Sequence, residues 1–135
     1  MAIAYRAGNT GGNSSGTDVT VTKPTGTVDG DILVAVTYRE AGTWTLPSGW
    51  AWIGSEQVNN TANAWVGIAW KRASSEGASY VFQLSASTWR SIAVAAYSGC
   101  LASGTPYETS FAANSGSLNT VSAATITTTV ANTMC

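Results

Sequence analysis

The sequence feature that most constrains the fold is a pair of adjacent apolar segments separated by a turn. In residues 19–22 valine alternates with threonine, which is the period-2 pattern of a strand with one buried face. Lys23-Pro24 ends that pattern, because proline has no N–H to donate to a neighbouring strand. After a turn rich in glycine and aspartate, residues 32–36 form an unbroken apolar run, typical of a strand covered on both faces. Together the two segments predict a central strand in a two-layer β structure.

The rest of the chain shows the same short apolar segments between turns, and no segment has a convincing helical period. Further strands are predicted at residues 2–7, 50–58, 64–71, 80–84, 89–97 and 121–130, with weaker strand potential around 107–112. Residues 8–16, which are rich in glycine and asparagine, are predicted to be a polar loop. We therefore predict that residues 1–135 form a single all-β domain. The expected architecture is an antiparallel two-sheet β-sandwich, jelly-roll-like or Ig-like, with eight or nine short strands.

The chain carries few charges. Charged residues make up 10% of its 135 residues and the formal net charge is −1, whereas about 25% is usual for a soluble domain. The sequence lacks a basic patch, so we expect no nucleic-acid partner. It also lacks a basic amphipathic segment and a long apolar stretch, so we expect no membrane insertion. Weak self-repulsion favours packing into an assembly.

Histidine is absent from the sequence, which restricts the chemistry that this chain can carry out alone. A Ser-His-Asp or Cys-His site cannot form within it, and two cysteines are too few for a structural zinc site. A glycosidase needs two facing carboxylates, and no spacing in the sequence singles out such a pair. Asp29-Gly30-Asp31 is similar to part of a calcium loop, but a turn closed by side-chain-to-backbone bonds is the interpretation we favour. We predict no enzymatic activity, no catalytic residue, no metal and no cofactor.

Tryptophan is the residue type that bears most on binding. Trp50, Trp52 and Trp70 share strand faces with other apolar residues and are predicted to lie in the core. Trp44 and Trp89 lie at predicted strand edges and are candidate ligand-binding residues, because an exposed indole can stack on a sugar ring. Large aromatic side chains are also enriched at protein interfaces, so a glycan and a protein partner both remain open for these two residues.

The cysteines and the N-terminal segment bear on localisation. Cys100 and Cys135 are the only cysteines; we expect two unpaired thiols, with a disulfide or an intermolecular bridge through Cys135 as the alternative. The N-terminal residues do not have the pattern of a signal peptide, which predicts synthesis in the cytoplasm. The surface composition, rich in Thr, Ser, Asn and Gly, is typical of extracellular β proteins. A virion protein meets both conditions; the alternative is another extracellular surface.

Several short motifs follow one another in a distinctive order. They are KPTGTVDGDILVA at residues 23–35, PSGW at 47–50, AWKRA at 69–73 with Glu76, YVF at 80–82 and AAYSG at 95–99. This series resembles a group of β-sandwich domains in structural proteins of tailed bacteriophages, where they serve as tail, fibre or head-decoration parts, and in some bacterial surface proteins. The resemblance extends over about residues 2–130. It implies further strands after residues 121–130, or a sheet edge that a neighbouring chain completes.

These observations predict a non-enzymatic structural or accessory domain of a virion or a similar surface assembly. Such a domain would pack through apolar surfaces and sheet edges against copies of itself or against other proteins of the assembly. The alternative is a carbohydrate-binding or adhesive module that uses Trp44, Trp89 or a tyrosine as a stacking platform.

Overall fold

The computed structural model describes residues 2–54, 56–59 and 64–107, a part of the chain that contains nine strands and no helix. The strands are β1 (Ala4–Asn13), β2 (Asp18–Thr22), β3 (Ile32–Arg39), β4 (Trp44–Thr45), β5 (Ala51–Trp52), β6 (Gln57–Asn59), β7 (Ala64–Arg72), β8 (Ser79–Leu84) and β9 (Arg90–Ser98). Among these residues there is accordingly no helix of the length and apolarity needed to cross a membrane. The strand predicted at 121–130, most of the weaker segment at 107–112, and Cys135 lie outside the described residues.

The strands form two antiparallel sheets that pack on each other. The larger sheet has the order β1-β9-β3-β7-β5, and β6 also pairs with β7; the smaller sheet has the order β2-β8-β4. This confirms the predicted all-β antiparallel sandwich. The strand order explains why β3 is so apolar, since it pairs along its whole length with both β7 and β9.

The core lies between the two sheets. From the smaller sheet, β2 and β8 contribute side chains that alternate inward along each strand, and β3 and β9 supply the apolar residues opposite them. Trp50 fills one end of this layer, where its ring packs edge-on against Tyr80 and Phe82 at centroid distances of 5.3 and 5.4 Å. The buried core comprises Val19, Val21, Leu33, Ala35, Trp44, Trp50, Ala69, Ala73, Tyr80, Phe82, Leu84, Ile92, Val94 and Ala96.

Two predicted boundaries are wrong, and glycine is involved in both. The polar loop predicted at residues 8–16 is strand as far as Asn13. Gly8 and Gly12 lie close to the backbone of β9, and their pairing with it extends β1. Glycine and asparagine are unfavourable strand formers alone, but here the pairing partner decides the conformation. The single strand predicted at 50–58 is divided into β5 and β6, and the chain turns at Gly54, whose φ is +69°.

The edge strands of the two sheets meet at one corner, which we call the β1–β2 corner. At Gly11 a Cβ atom would lie 2.7 Å from the Thr20 carbonyl oxygen and 3.0 Å from a Val19 methyl group, so only glycine allows this approach. The Asn9 side chain lies on the same face of β1, and its Nδ2 donates hydrogen bonds to the carbonyl oxygens of Thr22, at 3.1 Å, and Lys23, at 3.2 Å. Carbonyl groups at the end of β2 are thereby satisfied by a side chain of the other sheet.

The turn before β3 is held by its own aspartates. Asp31 accepts a hydrogen bond from the Val28 N–H at 2.9 Å and pairs with Arg6 Nε at 2.7 Å. Asp29 accepts a hydrogen bond from the Ser75 N–H at 2.8 Å. Asp31 therefore closes the turn through a side-chain-to-backbone bond, as the sequence favoured, whereas Asp29 ties the turn to the connection between β7 and β8.

Candidate functional site

One face of the larger sheet points away from the core and carries apolar side chains. Directly paired residues of antiparallel strands point to the same side, and Leu33 and Ala35 point into the core, so the residues that alternate with them point outward. We call this surface the outer face. Its members are Tyr5 on β1; Ser91, Ala93, Ala95 and Tyr97 on β9; Ile32, Val34, Val36 and Tyr38 on β3; and Val66, Ile68 and Trp70 on β7. Arg72, which pairs with Ile32 at one end, lies on the same face and is charged, whereas the members named above are uncharged.

One end of the outer face is covered by the chain that follows β9. Tyr107 packs edge-on against Trp70 with ring centroids 6.1 Å apart. Arg72, at the margin of the face, donates hydrogen bonds to the carbonyl oxygens of Leu101 and Gly104, which fixes the path of residues 101–107. Ile32 at this end is fully buried.

The other end of the outer face is exposed. Val36 is 44% exposed and Val66 is 40% exposed, and Ala93 beside Val36 is also exposed. The prediction that residues 32–36 are covered on both faces is therefore correct for Ile32 and wrong for Val36. The physical reason is that residues 101–107 contact Trp70 and Arg72, which pair with Val34 and Ile32, whereas Val36 and Val66 lie farther along the strands. Exposed apolar side chains that adjoin one another are typical of a surface that contacts another molecule.

A shallow depression of about 520 Å³ lies at this exposed end. It lies next to Trp89, which immediately precedes β9 and is 63% exposed. Among the residues that line it are Asn13, Ser14, Tyr38, Trp89, Arg90 and Ser91. The exposed position predicted for Trp89 is confirmed, while its role in ligand binding stays a prediction. The depression combines two aromatic side chains with amide and hydroxyl groups.

Hydrogen bonds to Glu40 fix the aromatic side of the depression. The Tyr38 hydroxyl donates to one carboxylate oxygen of Glu40 and the Thr88 hydroxyl donates to the other, each at 3.3 Å. The Glu40 N–H in turn donates to the Trp89 carbonyl oxygen at 3.3 Å. Burial raises the pKa of the Tyr38 phenol, and the nearby Glu40 carboxylate raises it further. Tyr38 therefore stays protonated at neutral pH and keeps its bond to Glu40.

Arg90 fixes the other side of the depression. It is 2% exposed, and its guanidinium donates to the carbonyl oxygens of Thr88, at 2.8 Å, and Ser15, at 2.6 Å. A longer contact of 3.4 Å reaches the Asp18 carbonyl oxygen. Its Nε has no hydrogen-bond partner among the described residues. Arg90 thereby ties the connection between β1 and β2 to the segment that carries Trp89.

Trp44 is not exposed, so the expectation that it offers a contact surface is wrong. It is 5% exposed and belongs to the core. It lies on β4, where it pairs with Leu84 of β8, and the buried side chain of Leu84 shows that this position faces inward. A two-residue strand has too short a pattern to reveal which way it faces, and only the pairing with β8 decides it.

The other tryptophans divide between the two faces. Trp50 is buried and Trp52 packs, partly buried, against the core, as predicted. Trp70 is half-buried on the outer face, so its prediction as a residue of the core between the sheets is wrong. On β7, the residues Gly67 and Ala69 point inward. Their small size leaves room for the Trp52 ring.

Ion pairs occupy several of the described carboxylates. Arg39 donates to both oxygens of Glu56 at 2.9 and 2.8 Å, and Lys71 Nζ lies 2.9 Å from Glu76. Cys100 is half-buried and forms no disulfide with any described residue, and burial raises the pKa of its thiol against the opposing effect of the nearby Arg72. At its exposed end the outer face therefore offers apolar contact, aromatic stacking and neutral hydrogen bonding.

Sequence reasoning identified Trp89 but missed the residues around it. Tyr38 carried a usable signal, since alternation along β3 places it on the same side as Val34 and Val36. Asn13 and Ser14 carried none, because they reach Trp89 only through the pairing of β1 with β9. Arg90 was not predicted, because a charged residue at the start of an apolar strand is usually exposed to solvent.

No protein-family model, curated protein or solved structure matches this chain. The resemblance to structural proteins of tailed bacteriophages therefore stays a prediction, and the functional argument depends on the surface described above.

Proposed function

We propose that this protein is a non-enzymatic structural or accessory domain of a virion or a similar surface assembly, and that it packs through the outer face. Its partners are copies of itself or other proteins of the assembly. The observation that supports this most directly is the exposed end of the outer face, where Val36 and Val66 lie on adjacent strands without charge between them. Covering such a surface with another protein removes apolar area from water, which is the main driving force for association.

The electrostatics of the chain also favour contact between copies. The net charge is −1, and the exposed residues Val36, Val66 and Ala93 of the outer face are uncharged. The exposed ends of two copies can therefore meet without burying an unpaired charge. Burying such a charge would cost several kcal/mol. Long-range repulsion between copies is weak for the same reason.

The sheet edges support the proposal less than the outer face does. On one side, the β1–β2 corner brings the two edge strands together, and Asn9 occupies carbonyl groups at the end of β2. On the other side of the smaller sheet, β4 is only two residues long. A short or covered edge is a poor template for an additional strand. We therefore assign the packing role to the outer face.

The test compares valines of similar exposure on opposite faces of the sandwich. In the variant Val36→Lys/Val66→Lys, two charges would have to be buried whenever the outer face is covered. Val81→Lys is the matched control, because Val81 is 43% exposed on β8 of the smaller sheet. We expect self-association, or association with another protein of the assembly, to weaken by at least about tenfold in the double variant and to stay unchanged in the control.

Sedimentation equilibrium and light scattering measure self-association, and electron microscopy of the native particle shows whether the domain forms a repeating array. Thermal unfolding followed by circular dichroism confirms that both variants are folded. A chain that remains monomeric and joins no assembly would contradict the proposal. So would an equal response to lysine on either face.

A further inference from the structure

We infer that the depression beside Trp89 is a binding site for a neutral saccharide, with the indole of Trp89 stacked on a pyranose ring. This site adjoins the exposed end of the outer face and shares Tyr38 and Ser91 with it, but it also depends on Trp89 and on groups of the β1–β2 connection, which the packing role does not use. Its volume of about 520 Å³ falls within the range of about 300–1,000 Å³ that is usual for small-molecule sites.

The exposure of Trp89 is the first reason. Trp89 is 63% exposed, although the core could have used its aromatic surface as it uses that of Trp44 and Trp50. A flat aromatic surface with one polar N–H matches a pyranose ring, which has C–H groups on its faces and hydroxyls around its rim. Stacking removes both apolar faces from water while the hydroxyls remain available for hydrogen bonds.

The ordered backbone that carries this indole is the second reason. The backbone of Trp89 accepts a hydrogen bond from the Glu40 N–H, and the neighbouring Thr88 is bonded through its hydroxyl to Glu40 and through its carbonyl to Arg90. Arg90 also anchors Ser15 on the opposite side of the depression. A backbone that is already ordered need not be fixed when a ligand binds, which lowers the entropy cost of binding.

The remaining hydrogen-bonding capacity is the third reason. Asn13 uses its side-chain oxygen to accept a bond from the Ser14 N–H at 2.8 Å, which leaves its amide N–H groups as donors. Tyr38 donates to Glu40, which leaves the lone pairs of the phenol oxygen as acceptors. Ser14 and Ser91 add hydroxyl groups at the margin. Donors and acceptors of this kind match the hydroxyls of a sugar.

The charges around the depression favour a neutral ligand. The guanidinium of Arg90 is buried and directed at backbone carbonyls, so its charge is not presented to a ligand as an exposed cation would be. An aromatic platform can also stack on a nucleobase, but single-stranded nucleic acid requires a positively charged groove for its phosphates. With a net charge of −1, this chain is a poor match for that ligand.

The experiment begins with an array of neutral hexose and N-acetylhexosamine oligosaccharides probed with the full chain. The strongest glycan is then titrated by calorimetry into the wild type, Trp89→Ala, Trp89→Phe and the control Val81→Ala. We expect Trp89→Ala to weaken binding by at least about tenfold, Trp89→Phe to retain most of it, and Val81→Ala to leave it unchanged. Because Trp89 is exposed, we expect Trp89→Ala to leave the Tm unchanged, so a loss of binding would not reflect unfolding.

Three results would overturn this inference: the wild type binds no glycan on the array, the affinity is the same in Trp89→Ala, or a single-stranded oligonucleotide binds as tightly as the best glycan. Self-association is measured on the same variants. If Trp89→Ala weakens self-association while no glycan binds, Trp89 belongs to the protein interface instead. Failure of the saccharide site is thus distinguishable from failure of the packing role, which Val36→Lys/Val66→Lys tests.

Discussion

At the residue scale, two arginines lie directly opposite each other at one end of the larger sheet, on β3 and β9. Like charges at opposed positions of a sheet repel each other. Arg39 is compensated by a bidentate pair with Glu56 and stacks 4.4 Å over the Trp65 ring. Arg90 is held by backbone carbonyls of Thr88 and Ser15. The two guanidinium groups therefore use different partners, and in each case these contacts compensate for burying the charge.

Replacing Arg39 tests how much its ion pair with Glu56 contributes to the stability of the fold. In Arg39→Met the carboxylate of Glu56, whose side chain is largely buried, loses both hydrogen bonds. We expect the free energy of unfolding to fall by about 3 kcal/mol, since an unpaired buried charge is left behind. Urea denaturation measures this change. The double variant Arg39→Met/Glu56→Leu should recover most of the loss; if it is as unstable as the single variant, the unpaired carboxylate is not the cause.

Glu76 predicts a dependence of stability on pH. Burial acts to raise the pKa of this carboxyl, but the Ser74 N–H and the Lys71 ammonium outweigh burial and lower it below the ordinary value of 4.5. A lowered pKa in the folded state stabilises the protein above that ordinary value, and the contribution is lost as the pH falls below it. We expect the Tm of wild type to exceed that of Glu76→Gln near neutral pH and the gap to narrow in acid. A gap that is constant from about pH 7 to about pH 3 would contradict this sign.

At the element scale, β7 shows how small residues on one strand create space for a large one on another. A Cβ at Gly67 would lie 2.6 Å from the Trp52 ring, 2.9 Å from Glu56 Cγ and 3.0 Å from the Thr37 hydroxyl oxygen. Trp52 pairs on β5 with Ala69, the next inward residue of β7. The edge strand therefore reaches the core only because β7 presents Gly67 and Ala69 on that side.

Gly67→Ala should destabilise the fold through this contact. The added methyl group forces the ring of Trp52 and the side chain of Glu56 to move, which we expect to cost about 2 kcal/mol in chemical denaturation. Gly77→Ala is the matched control, because a Cβ at Gly77 would meet no atom within 4 Å. Equal stabilities for the two variants would show that the layer around Trp52 adapts freely.

The elements also show what the sequence could and could not predict. Alternation of apolar and polar residues identified β2 and β8, because each has one face in the core, and unbroken apolar runs identified β3 and β9. It failed for β1, whose glycines form strand only because β9 lies beside them. It also failed for Trp44, since the facing of β4 is set by its pairing with β8. Pairing between distant segments is not contained in a periodic pattern.

The candidate site was predictable to a similar extent. An aromatic residue just before an apolar strand is visible in the sequence, and this is how Trp89 was found. Tyr38 and Asn13 join it only because β9 lies between β1 and β3 in the larger sheet. That strand order follows from the topology of the whole sandwich, so the full site required the structure.

At the scale of the whole molecule, the outer face links stability to concentration. If copies cover the exposed ends of their outer faces, only folded chains associate, and mass action stabilises the folded state. We expect the Tm of wild type to rise with protein concentration and that of Val36→Lys/Val66→Lys to stay constant. Differential scanning calorimetry over about a hundredfold range of concentration checks this, with Val81→Lys as the variant that should follow the wild type. A wild-type Tm that is independent of concentration would argue against self-association over that range.

The β1–β2 corner has a mechanical consequence. The chain enters β1 at Ala4 and leaves β9 at Ser98, and these residues are paired, so tension applied between them would unzip the two strands one pair at a time. Unzipping that begins there reaches Asn9, whose amide is bonded to the carbonyls of Thr22 and Lys23 in the other sheet. From that point the pull must break the contacts of β1 with both β9 and β2, so the corner resists peeling from the amino-terminal end.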